Sequence, residues 1–591
     1  MKLKNLTYPV SKGINKVDLG RILPIGKITG VDIENIHFMI DAFEQEYVPN
    51  QTTYASSLEF NALEGGDITV IFGKGYVASF DEKWTNRFQH TDKWCGGDGI
   101  YSFNLTDGND DFDQIEQKKT LFVFGDTFVG RFDHDTKQRF EPLLMPNNSV
   151  ALLQKESESV NFYIHTEKNG SISGFFKIDP RFDKKGTIPM NTVMYDDREE
   201  NDGWLSSYNP SECNITYDLS KERFVTRIRI TNYYQKQSTM LSTRGIRIFR
   251  LFGSVDEKSW TDLGEYEADI NLDGKTTTEI DLGFSYRYFR FEINTTPGTG
   301  NYCDEVCEGL FGLKKIEFFN RDERYLDVEA TANTVLQEEP ARSWIWLQDG
   351  VVVGKKLYFY PLTVVSDITQ PEGLQFRVTG INMISVPFNE DKIHFDEQSQ
   401  KRTPFLYKHQ GIEYALGGAV MPCLNDGYVY VYGYTSTYGQ RKMIVSRVKA
   451  EEIENFDSYE YFDGKYFVYD IKKAKTVLDH ISCEFSVSPI LKGMNKGKYI
   501  AIYTYDVNTP YVAYSIGDSP VGPFTKPQII YKTPEQEKFG KTTYTYNAKA
   551  HPHLSCSTAI LVSYNTNTYS FTHNRENADV YNPRFIRLEE I

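Results

Sequence analysis

The sequence predicts an all-β protein: a five-bladed β-propeller with a β-sandwich inserted between two of its blades. Three observations predict it. Aromatic residues make up 14% of the 591, with 40 Tyr and 39 Phe, a composition that suits pleated, half-buried surfaces. A unit of strand, Gly-rich or polar turn and strand recurs five times. Between the first two of these units, residues from about Gly186 to Asn320 carry a separate run of closely spaced strands. With 25% charged and 40% apolar residues, the chain can bury a sizeable core and is not dominated by disorder.

Residues 1–90 mix short apolar pieces with polar connections and read as a segment packed on the propeller, with one helix expected near Ile36 to Glu44. The first propeller unit runs from Gly96 to Gly130, as GGDGIYSFNL, an acidic connection and KTLFVFGDTFVG. Asp98 opens its first strand and Asp126 closes its second. An antiparallel pair reverses direction, so both carboxylates emerge at the same end. Residues 91–186 and 321–591 form the propeller and 187–320 the sandwich, whose strands include NITYDL, FVTRIRITNYY, GIRIFRLFGSVD, TTTEIDL, YRYFRFEINT and LKKIEFF.

After the insertion the remaining units are WIWLQDGVVVGKKLYFYPLTV, YALGGAVMPCLNDGYVYVYGYT, CEFSVSPILKGMNKGKYIAIYTYD and AHPHLSCSTAILVSYNTN. The last of them recur at roughly 60 to 70 residues, a spacing suited to four-stranded blades with loops. The bland alternative is five hairpins in a generic sandwich. In a propeller the first strand of each blade lines the channel and starts at one common mouth. Asp98, Trp344, Glu413 or its neighbours, Glu484 and His551 would then ring that mouth.

A net charge of -16 disfavours partners held through phosphates, because no basic stripe remains to release counterions. No nucleic-acid partner is expected, and a neutral sugar suits the surface better. Seven Cys, mostly far apart, argue against a disulfide framework, and CDEVC at Cys303 and Cys307 reads as two free thiols in a loop. The N-terminus lacks the apolar core of a secretory signal and no run is long enough to cross a bilayer. That predicts no membrane partner and a cytoplasmic protein as written, or a secreted one if a leader has been removed. No nucleotide fingerprint, P-loop or GxSxG elbow is present.

The inserted segment resembles the discoidin-type jelly-roll module, many members of which bind sugars, through Tyr217-Asp218-Leu219, the hairpin from Ser254 to Trp260, Tyr286 to Ile293 and Gly312 to Phe319. Lys315 stands where that family commonly has an acidic residue helping to hold a structural calcium, so no calcium is carried over. The propeller resembles the five-bladed glycosidases that include arabinanases and invertases, with SPVGPF from Ser519 to Phe524 as a marker. It is more similar still to propellers, some of them D-arabinan hydrolases, with an Asp-Gly strand, a Gly-Asp-Thr turn and an Asn-Ser strand. Here these are Asp98-Gly99, Gly125-Asp126-Thr127 and Asn148-Ser149-Val150.

The resemblance implies a glycoside hydrolase acting on furanose-containing glycans, arabinan-like or fructan-like. Such chemistry needs one carboxyl to protonate the leaving oxygen and another to act as base or nucleophile. By position Asp98 is expected as base or nucleophile, Glu484 as general acid and Asp126 as a third carboxylate that orients substrate or tunes its neighbour. Each Asp has a bland rival as a turn former. Glu484 lies among apolar strand residues, where an unpaired charge is costly to bury. Trp94, Trp344 and Trp346 are expected near the mouth, where sugar rings stack on aromatic faces, with buried core as the alternative. Asn148 is expected to touch substrate. His551 and His553, two apart on an expected strand, would face one side and serve substrate or an ion. No cofactor and no metal site are expected, and the partner is an oligo- or polysaccharide. The alternatives are a non-catalytic carbohydrate-binding protein and a transferase or phosphorylase on the same scaffold.

Overall fold

Period-2 alternation makes the N-terminal region a sheet. In the computed structural model the strands Leu6–Val10, Gly13–Gly30, Ile33–Ile40, Phe43–Gln45, Thr53–Ala62 and Gly66–Phe72 form one six-stranded sheet. The helix expected near Ile36 to Glu44 is therefore two strands and a turn. Phe38 and Ile40 point inward while His37 is exposed, the signature of a strand, and Asp41 takes a left-handed φ of 50° that reverses the chain. The structure describes residues 4–47, 51–89, 92–114, 116–155, 157–179, 204–206, 210–234, 239–303, 310–325, 328–336, 343–366, 376–390, 392–409, 411–423, 426–437 and 439–591.

The chain divides into two units. The first comprises residues 1–182, 344–364 and 378–591, and the second residues 183–343 and 365–377.

In the first unit, five antiparallel sheets follow one another along the chain. Tyr101–Asn104, Thr120–Phe124, Ser149–Leu153 and Val160–Tyr163 make one. Gly350–Val353, Lys356–Phe359, Phe376–Pro387 and Ser399–Arg402 pair in succession in the next. Ile412–Cys423, Tyr428–Thr437, Gln440–Lys449 and Glu460–Phe462 follow, then Phe485–Pro489, Tyr499–Thr504, Tyr511–Gly517 and Gln528–Lys532. The last combines Thr543–Ala550, Ala559–Thr568 and Pro583–Glu590 with Tyr76–Phe80, so a strand from before the first sheet completes the fifth.

Several of these strands are buried on both faces and read as near-continuous apolar runs, as in YVYVYGY and YIAIYT. Tyr432, Phe485, Ile500, Tyr503 and Ile560 share one core. A bulge between Leu416 and Ala419 brings Gly418 so close to Cys483 that an added Cβ would meet its carbonyl oxygen at 2.3 Å. Only glycine allows that approach, and it fixes the backbone beside Glu484.

The second unit has its own sheet, including Pro210–Asn232, Ile248–Ser254, Thr261–Glu267, Thr277–Ile293 and Gly312–Asn320. Ile215, Tyr217, Phe289, Phe291 and Phe318 fill its core. Lys315 pairs with Glu317 at 3.0 Å. Cys303 is a free thiol, and Cys307 lies outside the described residues.

Candidate active site

Asp98 and Asp126 are adjacent because the chain changes sheets at both of them. Asp92–Gly97 and Thr127–Phe132 pair in a separate three-stranded sheet, whereas Tyr101–Asn104 and Thr120–Phe124 pair in the first of the five. The two crossings are laced together: the Asp98 N–H donates to the Asp126 carbonyl at 2.9 Å and the Gly125 N–H to the Asp98 carbonyl at 2.6 Å. Gly99, at φ 53°, permits the sharp turn that aims its own N–H at Asp98 Oδ1, 2.5 Å away.

The Tyr546 hydroxyl donates to the same oxygen at 2.6 Å. Asp126 accepts from Asn147 Nδ2 at Oδ1 and from Trp346 Nε1 at Oδ2, each at 3.2 Å. Burial pushes the Asp98 carboxyl up to about 6, with the Tyr546 hydrogen bond opposing and the Glu484 charge reinforcing the shift. Asp126 rises to about 7, chiefly by burial and then through the charge of Asp98. Asp349, just before Gly350–Val353, accepts N–H bonds from Val420 at 2.7 Å and Gly350 at 2.9 Å. Burial nevertheless carries it to about 7.

Glu484 directly precedes Phe485–Pro489 and accepts from Lys549 Nζ at 3.0 Å. Lys549 comes from the first strand of the fifth sheet, is 3% exposed, and holds its ammonium 3.5 Å from the centre of the Tyr101 ring. Tyr101, Ser102, Asp349, Ser486, Lys549 and His551 line a cavity in this region. Asp98, Asp126, Asp349, Glu484 and Lys549 thus form one electrostatic group drawn from three of the five sheets and the crossing.

Other expected site residues are placed differently. Trp94 is 1% exposed, bonded through Nε1 to Ser149 Oγ at 3.0 Å and packed on Phe124 and Phe162. It is core, because Phe124, Phe162 and the Ser149 hydroxyl enclose its indole. Asn148 is buried too, and its amide is used at both ends on the backbone of Phe176, at 2.7 and 2.9 Å. It straps a loop, and its burial turns it away from a ligand-facing surface. His551 and His553 do not lie on a strand: Pro552 cannot donate to a ladder, and Pro552–Leu554 forms a 3₁₀ turn after Thr543–Ala550. His551 is held between Ser102 and Ser563, both at 2.8 Å, and burial lowers its pKa well below the ordinary value. His553 pairs with Asp110 at 2.6 Å and Thr120 at 3.1 Å. Trp344 is half-buried and meets Trp346 edge-on at 6.1 Å. Glu413 pairs with Lys408 at 3.0 Å. Among the described residues no group of three or more His, Cys, Asp or Glu is arranged to hold a metal ion.

Sequence reasoning missed Lys549, Tyr546 and Tyr581. The signal for Lys549 was available: a lone Lys inside the apolar strand YNAKA faces the same burial cost that marked Glu484. Tyr581 is a bulky buried residue at φ 99°, an uncommon backbone state, and both Asp98 and Asp126 raise its phenol beyond the effect of burial. Nothing local in YNPRF announces it.

The family described as Domain of unknown function (DUF5005) matches residues 81–286 and 315–591. The chain belongs to the DUF5005 family. Asp98, Asp126, Asp349, Glu484, Tyr546 and Lys549 all fall within the DUF5005 match. No curated protein matches the chain. Among solved structures, one from Bacteroides ovatus ATCC 8483 described as a putative hydrolase is 16% identical, with a TM-score of 0.43, covering 86% of this chain and 90% of that one. A GH43_1 enzyme from Xanthomonas citri complexed with xylose is 13% identical, covering 42% and 87%, at a TM-score of 0.21. The family 32 carbohydrate-binding module of Streptococcus pneumoniae EndoD is 15% identical, covering 24% and 94%, at 0.18.

Proposed function

We propose that this DUF5005 protein is a glycoside hydrolase whose five successive sheets are the blades of a propeller, with Asp98, Asp126 and Glu484 at its mouth. The observation that carries the reading is the pair Asp98 and Asp126, half-buried side by side and raised to about 6 and 7, with the Lys549-bound Glu484 close enough for its charge to act on Asp98. Glycoside hydrolysis requires one carboxyl that holds a proton near neutral pH and another that stays charged, and such a division of environments supplies both. Tyr76–Phe80 completing the fifth sheet supports a ring closed by pairing the two ends of the chain. Furanose-containing glycans, arabinan-like or fructan-like, are the substrates proposed from the resemblance carried by Asp98-Gly99, Gly125-Asp126-Thr127 and Asn148-Ser149-Val150.

Release of reducing sugar from arabinans, fructans and aryl furanosides and pyranosides tests this. Wild type should cleave at least one furanoside, and Asp98→Asn and Glu484→Gln should each lower kcat/KM by roughly 10³-fold or more, about 4 kcal/mol of barrier. Tight glycan binding without cleavage, surviving both substitutions, would replace this reading with a lectin-like one. With four carboxylates around a single buried Lys, uronate-bearing substrates are expected to lose at least tenfold in kcat/KM against their neutral counterparts.

A further inference from the structure

We infer that Lys549 is a positioning residue that sets the direction of proton flow: it keeps Glu484 ionised as the base or nucleophile and leaves the proton for the departing oxygen on the Asp98 and Asp126 pair. This rests on the hydrolase reading above and reverses the roles that sequence position suggested. Lys549 is 3% exposed and its ammonium donates to Glu484 Oε2 at 3.0 Å, an arrangement that needs the carboxylate as acceptor. Removing the Lys would leave a nearly buried carboxylate without its counter-charge, whose cheapest response is to take up a proton.

Of the two charges, Glu484 acts on Asp98 more strongly than Lys549 does. Lys549 lies on the Tyr101 ring, acts favourably on ionised Asp98 and Asp349, and opposes protonation of His551. Glu484 in turn raises Asp98, the Tyr101 phenol and the Cys483 thiol. A fixed negative charge at Glu484 is therefore felt by Asp98 as a reason to stay protonated. Asp98 Oδ1 takes both the Tyr546 and the Gly99 bonds, and Asp126 accepts two long bonds from neutral donors. The charge of Asp98 raises Asp126 in turn, so the proton is best held within this pair.

In the reaction, the glycosidic C–O bond breaks with its electron pair moving to the leaving oxygen, which takes the proton from the pair. The anomeric carbon bonds either to a Glu484 oxygen, in an ester then broken by a water that returns its proton to the pair, or directly to a water whose proton Glu484 accepts.

Two measurements on the full chain test the assignment. The first compares aryl furanosides bearing poor and good leaving groups. Asp126→Asn should lose roughly 10³-fold on the poor leaving group and recover most of it on the good one, which needs no proton. Glu484→Gln should show no such recovery but regain activity with added azide. Recovery of Glu484→Gln by the good leaving group, with none for Asp126→Asn, would overturn the inference. The second is the pH profile of kcat/KM for Lys549→Met. Its acidic limb should move up by a unit or more, a tenfold loss below the midpoint, with the alkaline limb in place, and Lys549→Arg should restore it. An unmoved acidic limb in a variant that melts like wild type would also overturn it. If Lys549→Met fails to fold, the leaving-group comparison still decides. Absence of any cleavage by wild type would instead sink the hydrolase reading itself.

Discussion

Asp98 illustrates how a site stores free energy. Its folded value of about 6 lies above the ordinary 3.8, so the fold favours the protonated form. Its contribution to stability is complete below the ordinary value and is lost as pH rises from about 4 through 6. Asn can accept both Oδ1 bonds in the same place, so Asp98→Asn is expected to be more stable than wild type by ~1 kcal/mol at pH 8 and indistinguishable from it at pH 4. Thermal melts at the two pH values check this, and a variant less stable at pH 8 would show that Asp98 is structural. His551 works in the opposite sense. Its folded value is depressed, so its contribution is present above about 6.5 and disappears as pH falls. Tyr546→Phe removes a bond that lowers the Asp98 pKa and is expected to move the alkaline limb of the activity profile upward.

At the scale of single elements, several features that look functional are mechanical. Trp94 anchors Asp92–Gly97 against Phe124 and Phe162, and Trp94→Ala is expected to cost ~3–5 kcal/mol in denaturant unfolding. Asn148→Ala frees the backbone of Phe176 and is expected to cost ~1–3 kcal/mol. In both variants KM of the protein that remains folded should match wild type, and a selective rise in KM would return either residue to the binding site. The crossing at Asp98 and Asp126 is the element that builds the site: two strands leave one sheet for another at the same level, and their reciprocal N–H···O=C bonds register the two carboxylates.

At the largest scale, the fifth sheet depends on a strand drawn from far along the chain. Tyr76–Phe80 pairs along Pro583–Glu590 from Tyr76 opposite Glu590 to Phe80 opposite Ile586, and the Ile591 N–H reaches the Gly75 carbonyl at 3.0 Å. A chain lacking residues 1–74 retains that pairing, whereas one lacking residues 1–81 exposes Pro583–Glu590 as an open edge. The shorter chain is expected to melt lower and to aggregate on size-exclusion chromatography at concentrations where the longer one stays monodisperse. Equal behaviour of the two would show that the closing strand contributes little.

Local patterning was enough for much of the fold. Strand, turn and strand units such as YALGGAVMPCLNDGYVYVYGYT became two neighbouring strands of one sheet, because alternating or continuous apolar runs and Gly-rich turns are properties of neighbouring residues. The same patterning failed at Ile36 to Glu44, where a short amphipathic run fits either period, and at AHPHLS, where Pro552 ended a strand that began upstream. Asp98 and Asp126 were legible as candidates because an antiparallel pair brings them to one end, and Glu484 because an unpaired charge among apolar strand residues is costly to bury. Their environments were not. Lys549 reaching Glu484 from 65 residues away, Tyr546 reaching Asp98 from 448, and the burial of Trp94 and Asn148 are pairings across the chain. Proton affinity is set by such long-range neighbours and by depth from water. The sequence by itself therefore determined which groups could do chemistry, and only the tertiary structure decided what surrounds each of them.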